Sequence, residues 1–182
     1  MSVESRARGL PLIGWNEYVD LPDWGIRGLR AKVDTGARSS ALHVEHIEPL
    51  PNGRVRFDVV LHREKRDRRV KVEARVARRA RVRSSNGHFS YRLFVRTRLR
   101  LGDVEEEVEL SLVDRGRMIH RMLIGRTAIE GRFLIDVGHR NLLTKPPSRK
   151  KKKKLDPGAK PGVRPKKKVK KKRLAGPRPG HL

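Results

Sequence analysis

Ala31-Lys32-Val33-Asp34-Thr35-Gly36-Ala37-Arg38-Ser39-Ser40-Ala41-Leu42-His43 is the stretch around which the rest of the chain is arranged. A short extended run delivers an aspartate into a Thr-Gly turn, and a second apolar run, Ala41 to Ile47, leads away. A carboxylate is thereby placed where two strands fold back. Gly36, Ala37, Ser39 and Ser40 are small, so another backbone or a ligand has room to approach. Taken alone, an Asp-Thr-Gly triplet is most simply a turn. Its position at a strand end, and a second motif at Leu123-Ile124-Gly125-Arg126, raise its value.

Outward from this turn the chain reads as strands. Leu10 to Trp15 opens the folded part, and Leu21-Pro22-Asp23-Trp24-Gly25 is a turn leading into a strand from Ile26 to Val33. Trp15 and Trp24 read as anchors of this opening segment on the core. Beyond Pro49-Leu50-Pro51-Asn52-Gly53, Val55, Phe57 and Val59 alternate with Arg54, Arg56 and Asp58. Val70, Val72, Ala74 and Val76 alternate with Lys71, Glu73 and Arg75, and the polar segment Arg63 to Arg69 lies between the two runs as a turn. Ser84-Ser85-Asn86-Gly87 is a hairpin turn because Asn and Gly both accept positive φ. It joins Ala80 and Val82 to an apolar set of Phe89, Tyr91, Leu93, Val95, Leu99 and Leu101. Gly102-Asp103 turns the chain again into Val108, Leu110 and Leu112.

Near the end, Met122 to Gly125 is a buried strand-like run, Arg126 to Glu130 suits one short helix, and Gly131 ends it before a strand from Phe133 to Val137. The expectation is an all-β fold: a small closed barrel of about ten short strands with one short C-terminal helix.

Composition divides the chain in three. Residues 1–9 read as a flexible N-terminus, 10–144 as the folded domain, and 145–182 as a disordered Lys/Pro-rich tail in which Asp156 is the sole acid. The 182 residues carry a net charge of +26, which implies anionic company such as nucleic acid, a ribosome or acidic protein. Lysine runs at Lys150–Lys154, Lys166–Lys168 and Lys170–Lys172 suit a salt-sensitive tether to RNA, DNA or a ribosome. There is no cysteine, hence no disulfide framework and no thiolate metal site. No apolar run is long enough to span a bilayer and no leader is recognisable, so a cytoplasmic location is expected.

The motif set is more specific than any one triplet. A β domain with Asp34-Thr35-Gly36-Ala37 near its start and Leu123-Ile124-Gly125-Arg126 near its end resembles the retropepsin-like aspartic proteases. The chain is more closely similar to the bacterial branch associated with RimK-type ATP-grasp glutamate ligases, whose members have carried the label "ATP-dependent zinc protease". Ile13-Gly14-Trp15, Leu21-Pro22-Asp23, Ala31 to Arg38, Ser84-Ser85-Asn86-Gly87 and Leu123 to Arg126 carry that resemblance, over roughly residues 10–144.

The resemblance implies an aspartic endopeptidase that must form a homodimer, each copy contributing Asp34 to a catalytic dyad. It implies that Thr35 holds the two loops together, that Gly36 lets backbone run beside the carboxylate, and that the Asn86-Gly87 hairpin is a flap over substrate. Substrate-binding positions would be Ala37, Arg38, Ser84, Ser85, Asn86 and Gly87, with Gly125 and Arg126 structural. A RimK-type ligase is an implied partner, and the alternative function is a catalytically silent peptide-binding module regulating that ligase or a ribosomal partner.

Departures from the pattern matter as much. Retroviral members place an acid two residues after the catalytic glycine to pair with the Arg of the Gly-Arg motif; here that position is Arg38, so Arg126 must find another partner. Lys32 and Arg38 flank Asp34 with positive charge. If either approaches the dyad its pKa values fall, and the basic surround favours an acidic, glutamate-rich substrate. Asp136-Val137-Gly138 is a second Asp-x-Gly, but Val137 lacks the hydroxyl of Thr35, so a structural role is expected. His43 and His46, three apart on a strand, point to opposite faces, no His-Glu-x-x-His pattern occurs, and neither a metal nor a cofactor is expected. Arg92, Arg96, Arg98 and Arg100 read most simply as the solvated face of a strand. Aromatic residues make up only 4% of the chain, so a stacking platform for single-stranded nucleic acid is not expected.

Overall fold

The computed structural model describes residues 9–64, 67–83, 87, 89–116 and 118–146. Ten strands account for nearly all regular structure: β1 (Leu12–Gly14), β2 (Asn16–Leu21), β3 (Ile26–Val33), β4 (Ser40–Leu50), β5 (Arg54–Val60), β6 (Arg69–Arg83), β7 (Phe89–Leu101), β8 (Val104–Val113), β9 (Met122–Ile124) and β10 (Leu134–Asp136). The helix expected over Arg126 to Glu130 is one 3-10 turn, Arg126–Ala128, and Pro22–Trp24 forms another. Gly131 closes the segment with φ 73°, too soon after Arg126 for an α-helical ladder to develop. Among the described residues no helix is long and apolar enough to cross a membrane.

Eight strands form one sheet in the order β2-β3-β9-β4-β5-β6-β7-β8, and further pairings of β2 with β7 and β4 with β8 close it into a barrel. The alternation supplies the reason. Val55, Phe57 and Val59 of β5 and Val72 and Ala74 of β6 point inward, while Arg54, Arg56 and Lys71 face water. Phe57, Leu42, Leu110, Met122 and Ile124 are wholly or almost wholly buried in one cluster. Trp24 packs edge-on against Phe57 at 5.6 Å and so anchors the opening segment, as expected; Trp15 instead meets His120 at 6.1 Å.

Two non-local pairings set up the site. β9 lies between β3 and β4, parallel to β3 (Val33 opposite Ile124) and antiparallel to β4 (Ala41 opposite Leu123). The two strands flanking the Asp-Thr-Gly turn therefore straddle a third strand from far along the chain. β1 and β10 form a separate two-stranded parallel sheet, with Leu12 opposite Leu134.

A buried carboxylate pins the end of the described segment. Glu17 is fully buried and accepts hydrogen bonds from the amides of Gly14 (2.8 Å), Leu142 (2.8 Å), Leu143 (3.2 Å) and Thr144 (2.9 Å), and from the Thr144 hydroxyl. Burial works to raise its pKa, but these donors prevail and hold it below the ordinary glutamate value.

Candidate active site

The Asp34 loop is fastened from beneath by the segment following β9. The Asp34 amide donates to Ile124 O (2.9 Å), the Arg126 amide to Ala37 O (2.9 Å), and the Thr127 amide and hydroxyl both to Arg38 O (3.1 Å each). Ser40 Oγ accepts from the Gly125 amide at 3.1 Å, and Ser40 O accepts from the Ser111 hydroxyl. Gly125 is required for space: a Cβ there would sit 2.5 Å from the Ser39 carbonyl carbon and 2.9 Å from Arg38 O. Any side chain would push the loop off its support.

Asp34 itself is half-buried. Its Oδ1 accepts from the amides of Gly36 (3.1 Å) and Ala37 (3.3 Å), while Oδ2 receives no hydrogen bond from any described residue. A Cβ on Gly36 would lie 3.3 Å from that same Oδ1, so the glycine gives the carboxylate clearance. Thr35 is exposed, and among the described residues its hydroxyl has no partner.

Arg126 resolves the question raised by the missing acid. Its guanidinium donates to the carbonyl oxygens of Thr35 (2.9 Å) and Gly36 (3.4 Å), so the other partner that the sequence called for is the loop backbone itself. Lys32 and Arg38 are both exposed, and among the described residues neither forms an ion pair with Asp34. Gly87 has φ 81°, the left-handed geometry a hairpin tip needs. Ser84, Ser85 and Asn86 lie outside the described residues.

The cation that does feel Asp34 is one that sequence reasoning missed. Arg115 is half-buried, and burial pushes its guanidinium below the usual arginine range; Asp34 opposes that shift and Arg92 reinforces it. Arg92, on β7, is also pushed down by burial, and its Nε donates to Ser90 Oγ at 3.2 Å. Neither Arg92 nor Arg115 has a carboxylate within ion-pair distance among the described residues, so Arg115 is attracted by Asp34 and repelled by a second partly desolvated guanidinium, with neither cation neutralised by an ion pair.

Arg115 is held by a buried histidine. His43 Nδ1 accepts from the Arg115 amide at 2.8 Å, and the Arg115 side chain reaches His120 O at 3.4 Å. Burial lowers the His43 pKa, with Arg121 adding to the shift while Asp114 and Glu45 oppose it. His120, beside Asn16 (3.2 Å), is likewise lowered, by burial first and then by Arg30, Lys32 and Arg115. His43 is buried and His46 exposed, with His46 Nδ1 2.9 Å from Asp58 and so on the other side of the strand. Among the described residues no three His, Asp or Glu side chains gather as metal ligands.

Asp136 is occupied locally. It accepts from the Gly138 amide at 2.7 Å and faces His139 Nδ1 at 2.7 Å, which gives it the turn role expected of it. On the solvated strand face, Arg98 pairs with Asp23 (2.6 Å) and Glu105 (3.1 Å), Arg100 with Asp20 (2.6 Å), and Arg96 with Glu107 (3.6 Å).

Comparison with known proteins agrees with this geometry. The sequence matches the RimB-like family, retropepsin-like aspartic endopeptidase RimB, over residues 12–146. Proteins named probable alpha-L-glutamate ligase from Shewanella halifaxensis and Desulfotalea psychrophila are 34% and 33% identical over 128 residues, 69% of this chain in each case. The chain spans only 28% of the length of these curated relatives. A crystal structure of Lpg0085, a protein of unknown function from Legionella pneumophila, superposes with a TM-score of 0.62 at 24% identity, covering 74% of this chain and 98% of that one, which shows the shared fold. The strand pair astride β9, the Asp-Thr-Gly loop and the supporting Gly-Arg turn are thus the framework of a small retropepsin-like barrel, and the chain belongs to the RimB-like family of retropepsin-like aspartic endopeptidases.

Proposed function

We propose that the chain is an aspartic endopeptidase that works as a homodimer, with Asp34 of each copy meeting at the twofold axis. The observation carrying this reading is the state of Asp34: one carboxylate oxygen is oriented by two backbone amides, the other takes no hydrogen bond from the described residues, and no described cation is ion-paired to it. A single such group is only a turn carboxylate. Two a few ångström apart cannot both ionise and so share a proton. One then takes a proton from water while the other gives its proton to the substrate carbonyl.

Several features support a second copy. Thr35 is exposed with its hydroxyl unpartnered among the described residues, which suits a bond across the axis. Leu12 and Leu134, opposite one another on the small β1–β10 sheet, are 47% and 39% exposed, and Val137 beside them is 80% exposed. A two-stranded sheet is marginal by itself and gains by being covered. Arg115, the cation that interacts with Asp34, supplies the reason to expect an acidic peptide substrate, because a carboxylate side chain would neutralise it.

Asp34→Asn tests the reading directly. The variant should fold and bind a glutamate-rich peptide but lose cleavage altogether; retained cleavage would end the proposal. Arg115→Gln should raise KM for that peptide more than for a neutral one. A second reading is favoured by the relatives' names: the chain serves as a silent peptide-binding module beside a glutamate ligase, in a cytoplasmic setting. Under that reading the parent chain binds the acidic peptide, shows no cleavage, and remains monomeric in sedimentation experiments.

A further inference from the structure

The longest hairpin in the molecule has an outer face that the peptidase reading does not use. Across β6 and β7, Arg79 lies opposite Leu93 and Arg81 opposite Tyr91, so these four share one face. Tyr91 is 83% exposed and Phe89 55% exposed. Alternation alone assigns both rings to the apolar side of the strand; the hairpin runs past the barrel, and the part of the face that would be core elsewhere is left in water.

The chemistry of this face is specific. The Arg81 guanidinium lies over the Phe89 ring, 4.1 Å from its centre. Beside Tyr91 is a cavity of about 300 Å³ lined by Pro49, Arg79, Tyr91, Arg92 and Leu93. Its lining combines an aromatic residue, two apolar residues and two arginines, with no acidic residue, and of the two arginines Arg79 shares the face of Tyr91. Among the described residues Arg79, Arg81 and Arg92 have no acidic partner within ion-pair distance, although most arginines further along β7 are paired.

We propose that this face binds single-stranded nucleic acid, with an unpaired base seated in the cavity against Tyr91 and the flanking phosphates held by Arg79 and Arg81. An exposed ring offers a π-face to any base, and unneutralised arginines between rings offer donors to the backbone. A second copy of the chain is excluded by charge, since it would set arginine against arginine. An acidic peptide would satisfy the arginines but has no planar group to stack on Tyr91. Stacking and phosphate contacts are indifferent to the sugar, so RNA and DNA single strands are taken alike.

The test uses the full chain and fluorescence anisotropy of labelled oligouridine and oligothymidine over a series of salt concentrations. The lysine runs beyond residue 146 attract polyanions in every variant, so the readout is the difference between variants at equal salt. Tyr91→Ala should weaken both oligonucleotides roughly tenfold with the salt slope unchanged, and Tyr91→Phe should restore binding. Arg79→Ala combined with Arg81→Ala should instead flatten the salt slope, by roughly 0.7 for each phosphate no longer neutralised. Parent-like affinity in Tyr91→Ala would overturn the proposal. So would an equal loss by Tyr91→Ala against a duplex or a polyglutamate peptide, since the ring would then not be reading an unstacked base.

Discussion

Strand β7 has two ends with the same alternation and opposite chemistry. Toward Leu101, Arg96, Arg98 and Arg100 each face an acid, and Leu99 and Leu101 between them are buried. Toward Phe89, Arg92 and the facing Arg79 and Arg81 have no acidic partner among the described residues, and the rings between them are in water. One strand thus passes from a stabilising wall to a surface whose arginines have no acidic partner among the described residues. Alternation assigns a residue to a face, and what lies across that face decides whether it is core, a solvated ion pair or a docking surface.

The two ends should respond differently to substitution. Leu99→Ala removes a buried side chain and should cost about 3 kcal/mol in urea unfolding, whereas Tyr91→Ala should stay within about 0.5 kcal/mol. A comparable loss at both positions would show that the hairpin packs on something. Asp23→Ala should fall between them, at about 1–2 kcal/mol, because Asp23 accepts from the Thr97 hydroxyl, the Arg98 amide and the Arg98 side chain together. An unchanged unfolding midpoint would mean that the tie between the Pro22–Trp24 turn and β7 contributes nothing.

Acid should sharpen the contrast, with smaller increments. His43 and His120 have depressed pKa values in the fold, so the unfolded chain takes up protons first; stability falls as pH drops from the ordinary imidazole range toward those depressed values. Asp23, lowered by the Arg98 amide and side chain, and Glu17, lowered by its donors against the opposing effect of burial, contribute stability above the ordinary carboxylate range that is lost as pH falls through their depressed values. Melting temperature should therefore decline in two stages below neutrality. Asp23→Ala should shrink only the second stage, and a decline in one stage would contradict the assignment.

The sequence carried the strands well because most of them are half-buried, and a half-buried strand writes its own period. Val55-Phe57-Val59 and Val70-Val72-Ala74 fall inside as their spacing predicts. The Asp-Thr-Gly loop and the Gly-Arg turn were legible as motifs, and Gly125 shows why its type is fixed, since backbone lies where a Cβ would be. Phe89 and Tyr91 misled because periodicity cannot report where a barrel stops. Arg115 and His43 gave no signal: one arginine among many, and a histidine buried against Asp114, Arg115 and Arg121 from far along the chain.

The order of apolar and polar residues determined by itself that the folded domain is almost entirely β and that Asp34 ends a strand in a tight turn. Local sterics and solvation act over a few residues, and the sequence displays those few residues together. Tertiary structure alone decided that β9 enters between β3 and β4, that Arg126 braces the loop through carbonyls, and that Arg115 comes within electrostatic reach of Asp34. Those outcomes join positions far apart in the chain, and their energies depend on distances that no linear spacing contains.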